Sequence, residues 1–375
     1  MMETRLTIRD ITVAITILFS LTFVTNAQSG RATPRPTPPP DTDTVRIPTE
    51  EVKLNVSAFN SSGGFFDGVT PDDLVILEDG VIHQPASVRR VSSNILIILD
   101  TGGEERYAKD FATTRDTAKA LIRGLSDDTT FAILESNDSV RVIAEWTNDK
   151  DQLFSAIDRN LRFGRRSSFV EALRLSLRFF ERSGLENRHI IAITDGVDSI
   201  EEDRARTAAI QAILATDISV HVISYTKMEQ NIVQERRRSV SSGRTSPPPG
   251  ATVPVQGTTP TSTIATVNLD REMIRKINER AQRLKEGEKS LSQIASDSGG
   301  EFLLPSSREA MIEDMRYLSR LIDSFYVVTY IPKRPLDGAP KGERREIRVG
   351  SRRSGLLVDA NRKLIVSPRG IENEK

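Results

Sequence analysis

Two uninterrupted apolar runs constrain this chain more than anything else in it. Ile95-Leu96-Ile97-Ile98-Leu99 ends on Asp100, and Ile190-Ile191-Ala192-Ile193 passes through Thr194 to Asp195-Gly196. Side chains alternate across a strand, so a strand that is apolar at every position needs cover on both faces. Between and after these runs lie stretches of helical spacing, Tyr107 to Leu125, Asp149 to Asn160, Phe169 to Phe180 and Asp203 to Ala215, and further strand-like runs at Phe131 to Leu134, Val140 to Ile143 and Ile218 to Ser224. Strands alternating with helices imply right-handed crossovers, which predicts a doubly wound α/β fold, its mostly parallel sheet covered by helices on both faces. Ligand sites in such sheets lie at the carboxyl ends of the strands, where Asp100 and Asp195 both fall.

A different pattern flanks this core. Val52, Leu54 and Val56 alternate, Asn60-Ser61-Ser62-Gly63-Gly64 supplies turn chemistry, and Leu74 to Leu77 leads through Glu78-Asp79-Gly80 to Val81 to Val88. Tyr326 to Ile331 and Arg345 to Val349 return to the same alternation, so a small antiparallel β module built by segments from both ends is expected. The predicted organisation is 1–27 signal peptide or signal anchor, 28–45 proline-rich tether, 46–92 β module, 93–226 α/β core, 227–290 a flexible basic and proline-rich insertion with an exposed helix, 291–324 the core's last strand and helix, and 325–367 the C-terminal β segment.

Composition removes several classes of function. The 375 residues contain no cysteine, so disulfides, thiolate metal sites and cysteine nucleophiles are excluded. His83, His189 and His221 lie in separate segments without ligand spacing and read as surface or satisfied core residues. With 52 basic and 52 acidic side chains there is no global field for a polyanion, and no nucleic-acid partner is expected. Arg236-Arg237-Arg238 reads as a solvated loop cluster. At the N-terminus, Arg5 and Arg9 precede the apolar run Ile11 to Val24 and the small residue Ala27, the layout of a secretory signal. Cleavage near Gln28 and retention as an inner-membrane anchor both stay open. Either way the chain is expected in the periplasm, in the cell envelope or outside the cell, touching the membrane only through an uncleaved N-terminal segment.

The strand ending on Asp100, the segment Ser167-Ser168-Phe169-Val170-Glu171-Ala172-Leu173 and the segment Ile191 to Asp198 resemble the three signature segments of a von Willebrand factor A domain. Thr70-Pro71-Asp72-Asp73-Leu74, Glu78-Asp79-Gly80, Gly299-Gly300-Glu301-Phe302 and Tyr326-Val327-Val328-Thr329-Tyr330 further resemble a bacterial exported subgroup described chiefly from acidobacteria. The resemblance implies a Rossmann-like core with a metal-ion-dependent adhesion site, usually for magnesium, built from Asp-x-Ser-x-Ser on the first loop, a Thr on the second and an Asp on the third. Carried over by position, the metal residues are Asp100, Glu104, Ser167 and Asp195, with Gly102 and Glu104 where the family has serines. A small divalent cation wants about six oxygens, and Gly102 offers no side-chain oxygen. The implied site is degenerate, with weak binding of magnesium or another divalent cation, or none.

Partner contacts are then expected from the surrounding loops, at Thr101, Gly102, Gly103, Ser168, Gly196 and Asp198. The alternative for Asp100 and Asp195 is structural, as caps of the following loops. Catalysis is not expected: there is no phosphate-binding glycine loop and no Gly-x-Ser-x-Gly elbow. The resulting expectation is a protein-binding or adhesion module, with an envelope spacer or scaffold and a metal-assisted hydrolase as alternatives.

Overall fold

β5 (Asn94–Asp100) is buried at every position, and its alternate side chains feed two separate cores. Ile95, Ile97 and Leu99 pack with Leu121, Ile157, Met315 and Leu318 on one side, whereas Leu96 and Ile98 pack with Val170, Leu173, Ile213 and Ile294 on the other. The computed structural model describes residues 50–103, 111–198, 203–241 and 263–366, all inside one compact unit spanning Thr49–Lys375. The N-terminal apolar run, the tether, Glu104 and the proline-rich part of the insertion lie outside the described residues.

The strands after β5 are β6 (Thr130–Ser136), β7 (Val140–Thr147), β8 (Arg188–Thr194), β9 (Ser219–Ser224) and β10 (Phe302–Leu303). They form a six-stranded sheet in the order β10-β9-β8-β5-β6-β7, parallel except for β7. Helices α1 (Phe111–Gly124), α2 (Lys150–Asn160) and α7 (Arg308–Ile322) cover one face. The other face is covered by α3 (Phe169–Ser183), α4 (Asp203–Leu214) and the last turns of α6 (Thr263–Ser298). This is the doubly wound α/β fold. Winding runs outward from β5 through β6 to β7, then outward from β8 through β9 to β10, so the order reverses between β5 and β8. A crevice opens at such a reversal, above the carboxyl ends of the two strands.

The flanking segments build a β-sandwich. β1 (Val52–Asn60), β4 (Pro85–Arg89), β11 (Phe325–Tyr330) and β13 (Leu356–Asp359) form one antiparallel sheet in the order β13-β1-β11-β4. β2 (Leu74–Glu78), β3 (Val81–His83), β12 (Arg344–Ser351) and β14 (Asn361–Ile365) form the other in the order β14-β12-β2-β3. Leu54, Val56, Leu74, Ile76, Val328 and Ile347 meet between them. Inside lies a buried ion pair, Arg345 to Glu78 at 2.8 Å, with the Tyr330 hydroxyl donating to the same carboxylate at 3.2 Å.

The sandwich docks on the amino ends of the parallel strands. Asn55 Nδ2 donates to the carbonyls of Arg188 and Asp217, both at 3.2 Å, and the Arg362 guanidinium donates to those of Ile218, Ser298 and Thr216. His189 and His221 meet in this seam, although 32 residues separate them. The N–H of Glu301 donates to His221 Nδ1, so His221 Nε2 carries the proton toward His189 Nδ1 at 3.0 Å, and His189 Nε2 donates to Asn187 Oδ1. Both rings are thus neutral, satisfied core residues.

The insertion differs from its reading in sequence. α5 (Thr226–Ser241) starts directly after β9, and α6 is one unbroken helix of 36 residues that runs past the expected boundary at 290. Its positions 280, 284, 287, 291, 294 and 298 are buried, a three-and-four spacing that puts them on one face. Apart from Arg280, most of the charged residues between Arg271 and Lys289 are exposed and hide that stripe. Among the described residues no helix is long and apolar enough to cross a membrane.

Candidate functional site

Asp100 and Thr194 sit at the carboxyl ends of β5 and β8, and the Thr194 hydroxyl donates to Asp100 Oδ2 at 2.6 Å. Asp100 Oδ1 accepts the N–H of Gly102 at 3.2 Å. The next loop repeats the device: Asp195 Oδ1 accepts the N–H of Val197 at 3.0 Å, and the Gly196 N–H donates to Thr194 Oγ1 at 2.9 Å. These are the short turns that Asp and Thr make with the backbone two residues on.

The first and second loops are pressed together. A Cβ added to Gly102 would stand 1.8 Å from the carbonyl oxygen of Arg166 and 2.9 Å from the Cα of Ser167. No side chain fits there, so Gly102 is required by the closeness of two backbones. A serine, as the family resemblance would place at this position, needs the loops to separate. The second loop is held by buried polar groups. Arg162 N–H donates to Glu135 Oε1 at 2.6 Å, the Thr101 hydroxyl donates to the Arg162 carbonyl at 2.7 Å, and the Ser168 hydroxyl donates to the Asn137 carbonyl at 2.7 Å. Asp198, on the third loop, accepts the N–H of Val170 at 2.8 Å and so serves an orphan donor at the start of α3.

The third loop lies under α6. Gly196 has φ of +69°, and a Cβ on it would meet Leu291 at 2.7 Å, while a Cβ on Gly287 would meet the Asp195 carbonyl at 2.7 Å. Two glycines facing each other let helix and loop touch backbone to backbone. About two turns back along the same face, Arg280 enters the site. Its Nη2 donates to Asp195 Oδ2 at 2.9 Å and stands 3.7 Å from Glu229 Oε2 of α5, with all three side chains buried.

Asp100, Ser167 and Asp195 therefore share one rim, as their positions in sequence implied. Glu104 lies outside the described residues. Of the loop residues expected to meet a partner, Thr101, Gly102, Ser168 and Gly196 are buried, and Gly103 and Asp198 are half-buried. Close loop packing and α6 account for this burial. Arg280, Glu229 and Thr194 were not singled out in sequence; the buried stripe of α6 was the available signal for the first.

The described residues do not fit the divalent cation that the family resemblance implies. One carboxylate oxygen of Asp195 is taken by a guanidinium, Gly102 has neither an oxygen nor room for one, and among the described residues no group of three or more His, Asp or Glu is arranged to hold a metal. A cation is nonetheless present, and it is a side chain.

Residues 95–197 match the family model described as von Willebrand factor type A domain. No curated protein matches the sequence. Among solved structures, a von Willebrand factor type A protein from Catenulispora acidiphila is similar over 87% of this chain and 76% of its own, at 12% identity and a TM-score of 0.43. BatB, a conserved hypothetical protein from Bacteroides thetaiotaomicron, is similar over 62% of this chain and 100% of its own, at 16% identity and a TM-score of 0.38. The manganese-loaded TRAP protein of Plasmodium vivax is similar over 86% and 100%, at 11% identity and a TM-score of 0.36. The three signature segments, their meeting at one strand-end rim and the match over residues 95–197 identify this part of the chain as a von Willebrand factor type A domain.

Proposed function

We propose that the protein is a non-catalytic, extracytoplasmic protein-binding module that presents the carboxyl-end rim of its central sheet to a partner without a divalent cation. Von Willebrand factor A domains generally mediate protein–protein interactions, and the rim is where this one keeps its loops. The observation that carries the metal-free reading is the buried contact of Arg280 with Asp195, 2.9 Å. A positive side chain that already answers the carboxylate removes the main electrostatic reason to recruit a metal. Placement outside the cytoplasm rests on Arg5, Arg9 and the apolar run Ile11 to Val24.

The test is capture from envelope extracts by the purified protein, compared with Val197→Arg and Glu104→Ala, in chelator and in magnesium. Capture that depends on the rim and is indifferent to chelator is expected. A spacer role in an envelope complex is the second reading, favoured by the burial of Thr101, Gly102, Ser168 and Gly196. Capture lost on changing the sandwich and unaffected by the rim variants would select it.

A further inference from the structure

We infer that the loop between α2 and α3 recognises an acidic protein segment, its exposed arginines supplying the positive charge that a metal would otherwise present at this rim. The inference rests on the protein-binding reading above and names the chemistry of the partner. In a chain of zero net charge, Arg159, Arg162, Arg165 and Arg166 fall within one short stretch. All four side chains are exposed, and none forms an ion pair among the described residues.

The backbone beneath them is fixed. Arg162 is held on both sides, its N–H by Glu135 and its carbonyl by Thr101 and by Asn137 Nδ2 at 3.1 Å. The N–H groups of Arg165 and Arg166 both donate to Asp138 Oδ1, at 2.9 and 2.8 Å. Glu135 is fully buried, with Arg141 Nε donating to it at 3.0 Å. Burying a carboxylate to hold a loop is costly unless it is paired and hydrogen-bonded, and this one is both. The result is a rigid backbone that carries free guanidinium groups, so a partner meets a preorganised charge pattern.

Guanidinium forks match carboxylates in two-point contacts, which favours aspartate and glutamate side chains. The cluster is short and local. A nucleic acid needs a longer basic track to gain from counterion release. The loop touches the first loop at Gly102, so an acidic segment bound here would lie across the rim.

The test is fluorescence anisotropy with a labelled oligoglutamate peptide, an oligolysine control and single-stranded oligothymidylate, using the full chain. Salt-sensitive binding of oligoglutamate is expected. The triple variant Arg162→Ala, Arg165→Ala, Arg166→Ala should weaken it at least about tenfold. The matching triple replacement at Arg236, Arg237 and Arg238 should leave it unchanged, and circular dichroism should show both variants folded. No binding of oligoglutamate, equal binding by the first variant, or equally tight binding of oligothymidylate through the same arginines would overturn the inference. Failure here with rim-dependent capture from extracts intact removes only the acidic partner; loss of both removes the protein-binding reading as well.

Discussion

The two ends of the central sheet are built by opposite means. At the amino end, where the sandwich docks, the joints are largely side chains that satisfy backbone carbonyls: Asn55 on Arg188 and Asp217, Arg362 on Ile218, Ser298 and Thr216, with the histidine relay closing the seam. At the carboxyl end, carboxylates accept backbone N–H groups, and a guanidinium is buried among them. At the first end Asn55 and the two histidines act in their neutral state, and the buried Arg362 guanidinium is answered by carbonyl dipoles. The second holds ionised groups that are tolerable only while each keeps its counterpart. Removing the neutral amide of Asn55 should therefore cost less than removing the guanidinium of Arg280, and single replacements can separate the two.

The largest effect is expected from Arg280→Ala, which leaves Asp195 and Glu229 buried without their shared cation. Breaking a buried ion pair from one side costs about 3–5 kcal/mol. Urea denaturation should show this as a lower midpoint at unchanged slope. Adding Asp195→Asn to Arg280→Ala should recover about 1 kcal/mol or more of the loss, and strict additivity would show that the pair is not coupled.

At the seam, Asn55→Ala leaves two carbonyls short of a donor but strands no charge, so its cost should be about 1–3 kcal/mol. If this replacement were more damaging than Arg280→Ala, the contrast between the ends would be wrong. Hydrogen exchange adds a spatial readout: Asn55→Ala should loosen the N–H groups of β8 and β9 at their amino ends and leave the rim protected.

How far these ends could be read from sequence follows the range of each interaction. Continuous apolar strands and strand-end aspartates are local patterns, so the doubly wound sheet and the shared rim of Asp100, Ser167 and Asp195 were legible. The sandwich was legible as two alternating segments, but not its register, since Val52 pairs with Tyr330 across the whole intervening core. Arg280 was masked because charged neighbours dominate the helix that carries it, and one charged residue at the end of a mainly apolar stripe looks like a break in the pattern. The meeting of His189 with His221 depends on β8 and β9 being neighbours. The exclusion of any side chain at Gly102 depends on a contact with residue 166 that no local pattern encodes.

A smaller, pH-dependent effect is expected from the histidines at the seam. Burial holds His189 well below its ordinary value of 6.5 and pushes His221 down to about 3. In the unfolded chain both protonate near 6.5, so between that value and about 3 the unfolded state binds more protons than the folded one. Stability is fully present above pH 6.5 and declines as the pH falls through this window, by at most about 1.4 kcal/mol per pH unit for each histidine. Glu301 works the other way: burial and Asp359 raise its pKa, so its contribution weakens as the pH rises. Comparison of the wild type with His221→Gln isolates the histidine part. The melting temperature of the variant should fall less between pH 7 and 5, and parallel curves would exclude the relay as the source.

The smallest expected effect is the response of the rim to magnesium or manganese. A site of millimolar affinity would add about 1 kcal/mol at about 5 mM metal, which is visible as a thermal shift in a domain of this size. With Asp195 answered by Arg280 and Gly102 shut against Arg166, no shift should be seen. The same titration on Arg280→Ala sharpens the point, because the guanidinium is gone while Gly102 still closes the first loop. If loss of the guanidinium alone opened the site, the variant would gain stability from metal that the wild type lacks. If loop closure also excludes metal, both proteins stay silent, and the closeness of the first two loops becomes the deeper reason that the rim works without one.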